Sequence, residues 1–448
     1  MSEKLIIIGC GAAGITIASN VRKKDQAIEI TIFSRDRDIA YSPCGIPFVL
    51  SGAIPSFESL VMHDLQYYKD KGIEIRINTE VTAIDLVGRS IIADGKHFEY
   101  DKLAIATGPL SLIPQVPGID KAYPLRNLED GKKVKKALEI AEKAVIVGAG
   151  PIGLEVATAF VNNGIATTVV ERAPYILPCV LDPDMASIVQ TKLERSTGVN
   201  LMLGAPLGAI TDSDHEGVKS VTVGKEAIPA DLVVRCTGTI PNTDLAREAG
   251  IEIGEVGGIK VDSTMKVKAI AMAVENVYAA GDCVEVVNQI TNQPCLSQLG
   301  STAVKQAKVV AENICGGSDV FDPVLHSAVY KIGDIQIGSV GVTYRDAKRA
   351  GLVPVVGRAT ALTKARYYPG GKKIEIKLLV FRDRLIGAQI VSEDYGVKER
   401  IDALALAIKS GMTVQQLLRV ETCYTPPLAM VVDPLTLALE DVKRQTSS

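Results

Sequence analysis

Cys44 is the residue in this chain best placed to do chemistry. It stands in Tyr41-Ser42-Pro43-Cys44-Gly45-Ile46-Pro47, where prolines and a glycine fix the backbone on both sides of the thiol. The following residues, Phe48 to Ser51, read as a short helical turn. A cysteine at a helix start has its thiolate stabilised by backbone N–H groups without intrahelical partners. That lowers its pKa and makes it a better nucleophile. The chain has eight cysteines, Cys10, Cys44, Cys179, Cys236, Cys283, Cys295, Cys315 and Cys423, and none forms a C-x-x-C pair. A zinc ribbon or a thioredoxin-type dithiol therefore has no support, and no metal site is expected. Most of the other cysteines are expected to be buried thiols acting as small apolar side chains in a reducing compartment.

Two glycine turns supply the second kind of chemistry. Gly9-Cys10-Gly11-Ala12-Ala13-Gly14 follows the β-branched run Lys4 to Ile8 and opens a helical stretch to about Lys24. Gly148-Ala149-Gly150-Pro151-Ile152-Gly153 follows Lys143 to Val147 and opens a helix over Leu154 to Asn163. In such a turn the first glycine permits the bend. The second lets the backbone approach a pyrophosphate, and the third lets helix pack on strand. The strand before and helix after each turn are the context that makes the motif specific for a dinucleotide.

Each copy continues into a second strand, Ile28 to Phe33 and Thr167 to Val170, whose end reads the adenosine ribose. The second copy offers Glu171, a carboxylate that accepts from ribose hydroxyls and repels a 2′-phosphate, so NADH is favoured, with NADPH left open by Arg172. The first copy offers Ser34, followed by Arg35. Ile105-Ala106-Thr107-Gly108 ends a strand after the first copy, and Val277-Tyr278-Ala279-Ala280-Gly281-Asp282 ends another much later. Asp282 is suited to hydrogen-bond the ribityl chain of a flavin.

The elements around these residues predict three domains in an α/β chain. Two are Rossmann-like: an FAD-binding domain split over 1–112 and 243–320, and an NAD(P)H-binding domain, 113–242, inserted into it. The third, 321–448, is a C-terminal α+β domain. Strands are expected at 327–332, 335–343, 352–362, 373–381 and 384–391, then helices at 397–410 and 414–419, then a frayed tail from Arg444 to Ser448.

Composition narrows the partners. A net charge of −3 over 448 residues gives no electrostatic reason to expect nucleic acid or an anionic membrane. The opening residues do not read as a signal peptide, and no apolar run approaches the ~20 residues that span a bilayer, so a cytoplasmic location is expected.

Together these motifs resemble the pyridine nucleotide–disulfide oxidoreductase superfamily, and within it the single-cysteine branch of CoA-disulfide reductases, NADH oxidases and persulfide reductases. The resemblance covers essentially the whole chain. It includes the two glycine turns, Ser42-Pro43-Cys44-Gly45-Ile46-Pro47, Ala106-Thr107-Gly108, Cys236-Thr237-Gly238, Gly281-Asp282, Arg366-Tyr367-Tyr368-Pro369-Gly370 and Tyr424-Thr425-Pro426-Pro427.

It implies a homodimer joined through the C-terminal domain. FAD would be held by Gly9, Gly11, Ala12, Ala13, Gly14, Ser34, Arg35, Ser42, Val81, Thr107, Gly108, Gly281 and Asp282, and NAD(P)H by Gly148, Gly150, Ile152, Gly153, Glu171 and Gly238. It further implies that Tyr424 and Tyr368 reach the thiol pocket as proton donors. The disulfide reductases with a cysteine pair use a C-terminal histidine instead; none of His63, His97, His215 and His326 lies in that stretch.

The implied reaction is reduction of a CoA disulfide, a persulfide or polysulfide, or a similar small thiol compound. Thr16, Asn20, Arg22, Lys23 and Lys71 lie at or near the CoA-contacting positions, while Ala40 and Pro43 stand where the CoA-disulfide reductases carry serine and asparagine. Two alternatives stay open. One is an NADH oxidase forming peroxide or water through a Cys44 sulfenate, although Ala12 stands where those enzymes carry histidine. The other is a low-turnover flavin-based redox sensor. Cys423, beside Tyr424, is expected to be a buried spacer.

Overall fold

The computed structural model describes residues 2–212, 219–271 and 274–446, so His215 and the last two residues lie outside it. The chain divides into two compact units. One comprises Met1–Ile46, Pro55–Leu112 and Thr239–Val324, and the other Pro47–Ile54, Ile113–Gly238 and Leu325–Ser448.

The first unit is built on a five-stranded parallel sheet in the order Val277–Ala279, Lys102–Ile105, Lys4–Ile8, Glu29–Phe33, Ile73–Arg76. Its central strand is buried at every position after Lys4, as a parallel strand covered on both faces must be. Helix Ala12–Lys24 buries Ala13, Ile17, Ala18 and Val21 and packs beside helix Gly300–Ile314. A three-stranded antiparallel meander, Val81–Asp85, Ser90–Ala93 and Lys96–Glu99, belongs to this unit and was not read from the sequence.

The second unit contains two sheets of five strands. One is parallel, in the order Asn200–Leu203, Ala166–Glu171, Lys143–Val147, Leu232–Arg235, Tyr123–Pro124. The other is antiparallel, in the order Ala328–Ile332, Ile335–Gly341, Arg384–Ser392, Lys373–Phe381, Val355–Leu362. Each fills one expected block, the βαβ pattern giving parallel strands and the run of hairpins giving antiparallel ones.

The frayed tail is corrected by the structure. Helix Pro434–Thr446 carries Arg444 to Thr446, because Ala438, Leu439 and Val442 are buried on its inner face. It lies so close to strand Val355–Leu362 that a Cβ at Gly357 would run into the Ala438 carbonyl. Helix Tyr344–Arg349 was also unforeseen; Thr343 caps it by accepting from the Asp346 N–H, and the strand after it begins only at Val355.

Candidate active site

The two glycine turns are built alike. Gly9 and Gly148 take φ of +107° and +110°, and a Cβ there would meet the carbonyl oxygens of Ala106 and Cys236. A Cβ at Gly14 or Gly153 would meet the carbonyl of Gly9 or Gly148. These four glycines are explained by the polypeptide itself. Gly11 and Gly150 are not: φ is −77° and −74°, within reach of any residue, and a Cβ would meet nothing within 4 Å. Their missing side chains matter only to something outside the chain, at the open N-terminus of a helix. That is the fit expected for a dinucleotide pyrophosphate.

Around the first turn, Ala12 and Ala13 begin the helix, and a Cβ at Gly281 would stand 3.2 Å from the Ala13 Cβ. Burial alone pushes the Asp282 carboxyl up from 3.8 to about 6. A desolvated acid at the C-terminal edge of a parallel sheet fits the hydroxyl donors of a flavin ribityl chain. Thr107 donates its hydroxyl to the Asn242 carbonyl (2.7 Å), and Gly108 follows at φ +66°. Ser34 is buried at the end of its strand, but its hydroxyl donates to the Asp36 carbonyl (3.1 Å), so toward a ribose it can only accept. Arg35 is part-exposed with Asp36 and Glu80 at about 4 Å, and Val81 is buried at the head of the meander.

Cys44 lies in the same unit, in the 3₁₀ turn Pro43–Gly45 that runs directly into helix Ile46–Leu50. Pro43 takes the first turn position, where its missing N–H costs nothing. The loop is held by pairing of residues 40–42 with 60–62: Ser42 N–H donates to Leu60 O and Met62 N–H to Ala40 O. Cys44 is exposed, and none of the eight cysteines is bonded to another. Only Cys10 and Cys283 are fully buried, and Cys423 is exposed, which corrects the expectations of mostly buried thiols and of a buried spacer.

Thr16, Asn20 and Lys23 share one face of helix Ala12–Lys24. Arg22 behaves differently. Its guanidinium donates to the carbonyls of Asp25, Gln26, Ile28 and Gly72 at 2.7 to 3.1 Å. It ties the helix end to the turn after Lys71 and is not turned to a ligand, a correction to its expected contact. Lys71 is exposed, its ammonium 4.6 Å from the centre of the Tyr67 ring.

At the second turn Glu171 accepts from the Ala149 N–H (2.8 Å) and, through its other oxygen, from the Ala173 N–H (2.7 Å). The carboxylate is thereby held against the glycine turn with lone pairs left for ribose hydroxyls. Ile152 is exposed beside it, and Gly238 takes φ +92°. Glu155, which the motif reading passed over, sits in the first turns of helix Pro151–Asn162, its carboxyl raised by burial from 4.5 to about 7.

Tyr424 exchanges a 2.7 Å hydrogen bond with Tyr367, not Tyr368. That bond, ahead of any burial, raises the Tyr424 hydroxyl above the usual tyrosine value. Tyr368 is part-exposed, and its backbone N–H closes a turn on Ala365 O.

Among the described residues no His, Cys, Asp and Glu cluster is arranged to hold a metal ion, and no helix is long and apolar enough to cross a membrane. Residues 3–307 match the family model for pyridine nucleotide-disulphide oxidoreductases, and residues 327–434 match the dimerisation domain of that family. A protein named NADH oxidase from Methanocaldococcus jannaschii is 44% identical over 457 residues, covering 99% of this chain and 100% of the relative. A CoA-dependent NAD(P)H sulfur oxidoreductase from Pyrococcus abyssi is 34% identical, covering 99% of both. Among solved structures, a NAD-dependent persulfide reductase from A. fulgidus superposes with a TM-score of 0.94 at 34% identity, over 99% of this chain and 84% of that one. The chain belongs to the pyridine nucleotide-disulphide oxidoreductases, a family that binds FAD and NAD(P)H.

Proposed function

We propose that this chain reduces a small disulfide or persulfide, CoA disulfide or CoA persulfide first among them, at the expense of NADH, with Cys44 as the attacking thiolate. The observation that carries the proposal is Cys44 itself: an exposed thiol at the second position of a helical turn, in the unit that holds the first dinucleotide turn. The nearest cysteines in sequence are Cys10 and Cys179, so an internal disulfide between close neighbours is not available. The thiolate attacks one sulfur of the substrate, forms a mixed disulfide and expels the other half as a thiolate. With CoA persulfide the expelled half is sulfide.

Bound FAD supplies the relay of two electrons from nicotinamide to sulfur. Gly9, Gly11, Ala12, Ala13, Gly14, Ser34, Arg35, Ser42, Val81, Thr107, Gly108, Gly281 and Asp282 are the residues we assign to holding it. Gly148, Gly150, Ile152, Gly153, Glu171 and Gly238 are assigned to NADH. Tyr424 and Tyr368 are assigned to the thiol pocket as proton sources for the leaving thiolate, with Tyr367 hydrogen-bonded to Tyr424. Per turnover one NADH and one proton go in; NAD⁺ and two thiols come out, or one thiol and H₂S from the persulfide. Thr16, Asn20, Lys23 and Lys71 are the polar face we assign to the substrate's anionic part. The working form is a homodimer, supported by the dimerisation-domain match, and its expected location is the cytoplasm.

The test is anaerobic NADH oxidation with CoA disulfide, CoA persulfide and a simple disulfide in parallel. Fast turnover with a CoA compound, lost in Cys44→Ser while flavin content is unchanged, is the expected result; retained turnover in that variant removes Cys44 from the mechanism. The NADH oxidase name of the 44%-identical relative favours a second reading, reduction of O₂. It would be recognised by rapid NADH loss in air with no thiol acceptor.

A further inference from the structure

The backbone runs without a break from the 3₁₀ turn Pro43–Gly45, which holds Cys44, into helix Ile46–Leu50. The end of that helix carries carbonyls with no partner inside it. Pro47 O takes the Ser51 N–H, and Phe48 O takes the Ser51 hydroxyl and the Ile54 N–H, at 3.0 Å each. Val49 O takes the Gly52 N–H at 3.1 Å. Two further donors come from far along the chain. Lys135 Nζ donates to Val49 O at 3.1 Å, and Asn163 Nδ2 donates to Leu50 O at 3.0 Å. Ile54, one helical turn beyond Leu50, has spent its N–H on Phe48, so Leu50 O is left to Asn163.

Both donors are rigidly mounted. Residues 47–54 and 113–238 belong to one compact unit, so these contacts lie inside it. Lys135 is on helix Leu128–Leu138, which a capping box closes at Asn127 and which buries Val134 and Leu138. Its ammonium has no acid partner among the described residues, whereas Lys132 of the same helix pairs with Glu129. Asn163 caps the C-terminal end of helix Pro151–Asn162, the helix that opens at the second glycine turn. Its NH₂ group has two hydrogens, and the second acceptor is Ala159 O at 2.7 Å. Two carbonyl partners fix which end of the amide is nitrogen. One side chain thus joins the end of the helix that follows Cys44 to the end of the helix that opens at a dinucleotide turn. A cation at a helix C-terminus is also of the favourable electrostatic sign.

We propose that Lys135 and Asn163 are positioning residues for Cys44, holding the far end of its helix so that the thiolate keeps its place at the near end. The proposal rests on the reading of Cys44 as the attacking thiolate. It adds to the Cys44 loop two residues that are distant in sequence and that no motif marks.

Three variants test it in the flavin-loaded enzyme. Lys135→Met and Asn163→Leu keep most of the volume and lose the donor. Lys135→Arg keeps a charged donor. The readouts are kcat and KM for CoA disulfide, and the rate of ferricyanide reduction by NADH, which needs the flavin and no thiol. Added to these are the melting temperature and the pH midpoint of iodoacetamide alkylation, followed on the Cys44 peptide by mass spectrometry. Lys135→Met and Asn163→Leu are each expected to lower kcat for the disulfide by about tenfold, with KM and ferricyanide reduction little changed. Both should move the alkylation midpoint of Cys44 upward, because a loosened helix stabilises the thiolate less. Lys135→Arg is expected to recover most of the Lys135→Met loss. Wild-type kcat and a wild-type alkylation midpoint in both donor-free variants overturn the proposal. So does a parallel fall in disulfide and ferricyanide reduction with a lowered melting temperature, which would make the two residues packing residues only. Cys44→Ser tests the underlying reading separately. Disulfide reduction retained in Cys44→Ser removes that reading and the proposal with it. Disulfide reduction lost there, beside wild-type kcat in Lys135→Met and Asn163→Leu, sinks the proposal alone.

Discussion

A tyrosine can protonate a departing thiolate only while it keeps its own proton. The 2.7 Å bond to Tyr367 holds the Tyr424 proton more tightly than usual, so the donor form persists through and above the ordinary tyrosine pKa of about 10. Disulfide reduction is therefore expected to fall on its alkaline side only above that range. Tyr367→Phe should move this limb down toward the ordinary value, and Tyr424→Phe should cut kcat by about 10²-fold at neutral pH. An unchanged pH–rate profile in Tyr367→Phe would remove the pair from the chemistry. Glu171 makes its argument through geometry, since two backbone N–H groups aim its carboxylate at the second glycine turn. Glu171→Ala is expected to narrow the ratio of kcat/KM for NADH over NADPH by about tenfold. An unaltered ratio would mean that the ribose is read elsewhere.

Between elements, one buried ion pair stands out in the second unit. Lys377, in the central part of the antiparallel sheet, reaches Asp182 and Asp184 at 2.8 Å each, where Asp182 precedes helix Pro183–Thr197. Lys377 and Asp182 are 4% and 3% exposed, too buried for water to replace a lost partner. Gln389 Nε2 donates to the same Asp182 carboxylate, as does the Tyr344 N–H, and the Asp182 N–H donates back to Gln389 Oε1. The acid is fully satisfied from the sheet and from the loop that enters helix Tyr344–Arg349. This network joins the parallel-sheet layer to the antiparallel sheet within one compact unit. Lys377→Met would leave the buried Asp182 without its cation, and should cost about 3–5 kcal/mol in denaturant unfolding. A loss under about 1 kcal/mol would show the pair to be incidental to the unit's cohesion.

At the level of the whole molecule, the C-terminal segment leaves large apolar side chains uncovered. Tyr395, Leu406, Leu428 and Val431 are all at least 69% exposed, more than scattered surface residues require. With the dimerisation-domain match over 327–434, these residues are expected to be covered by a second copy of the chain. Sedimentation equilibrium should give the mass of two chains, and Leu428→Glu should shift it toward one. A wild-type monomer at micromolar concentration would dismiss the homodimer. The exposed Tyr367 and Tyr424 lie in the same segment, so loss of the dimer should be accompanied by loss of activity.

The sequence by itself determined the residues whose reason is local or periodic. Gly9, Gly14, Gly148 and Gly153 could be named because the turn itself demands them: Gly9 and Gly148 take positive φ, and a Cβ at Gly14 or Gly153 would meet the carbonyl five residues back in the same turn. The parallel strands that flank each glycine turn could be named because burial on both faces favours an apolar run, and Cys44 because the residues that stiffen its loop are its neighbours in the chain. Tertiary structure decided what depends on distant partners. It bonded Tyr424 to Tyr367, 57 residues away in the chain. It turned Arg22 onto four carbonyls, including one far along the chain, and ordered the last helix against Gly357. It exposed Cys423. For Tyr424, Arg22 and the last helix a deciding group is a backbone carbonyl or a hydroxyl from a distant part of the chain, and no local pattern encodes which part that will be.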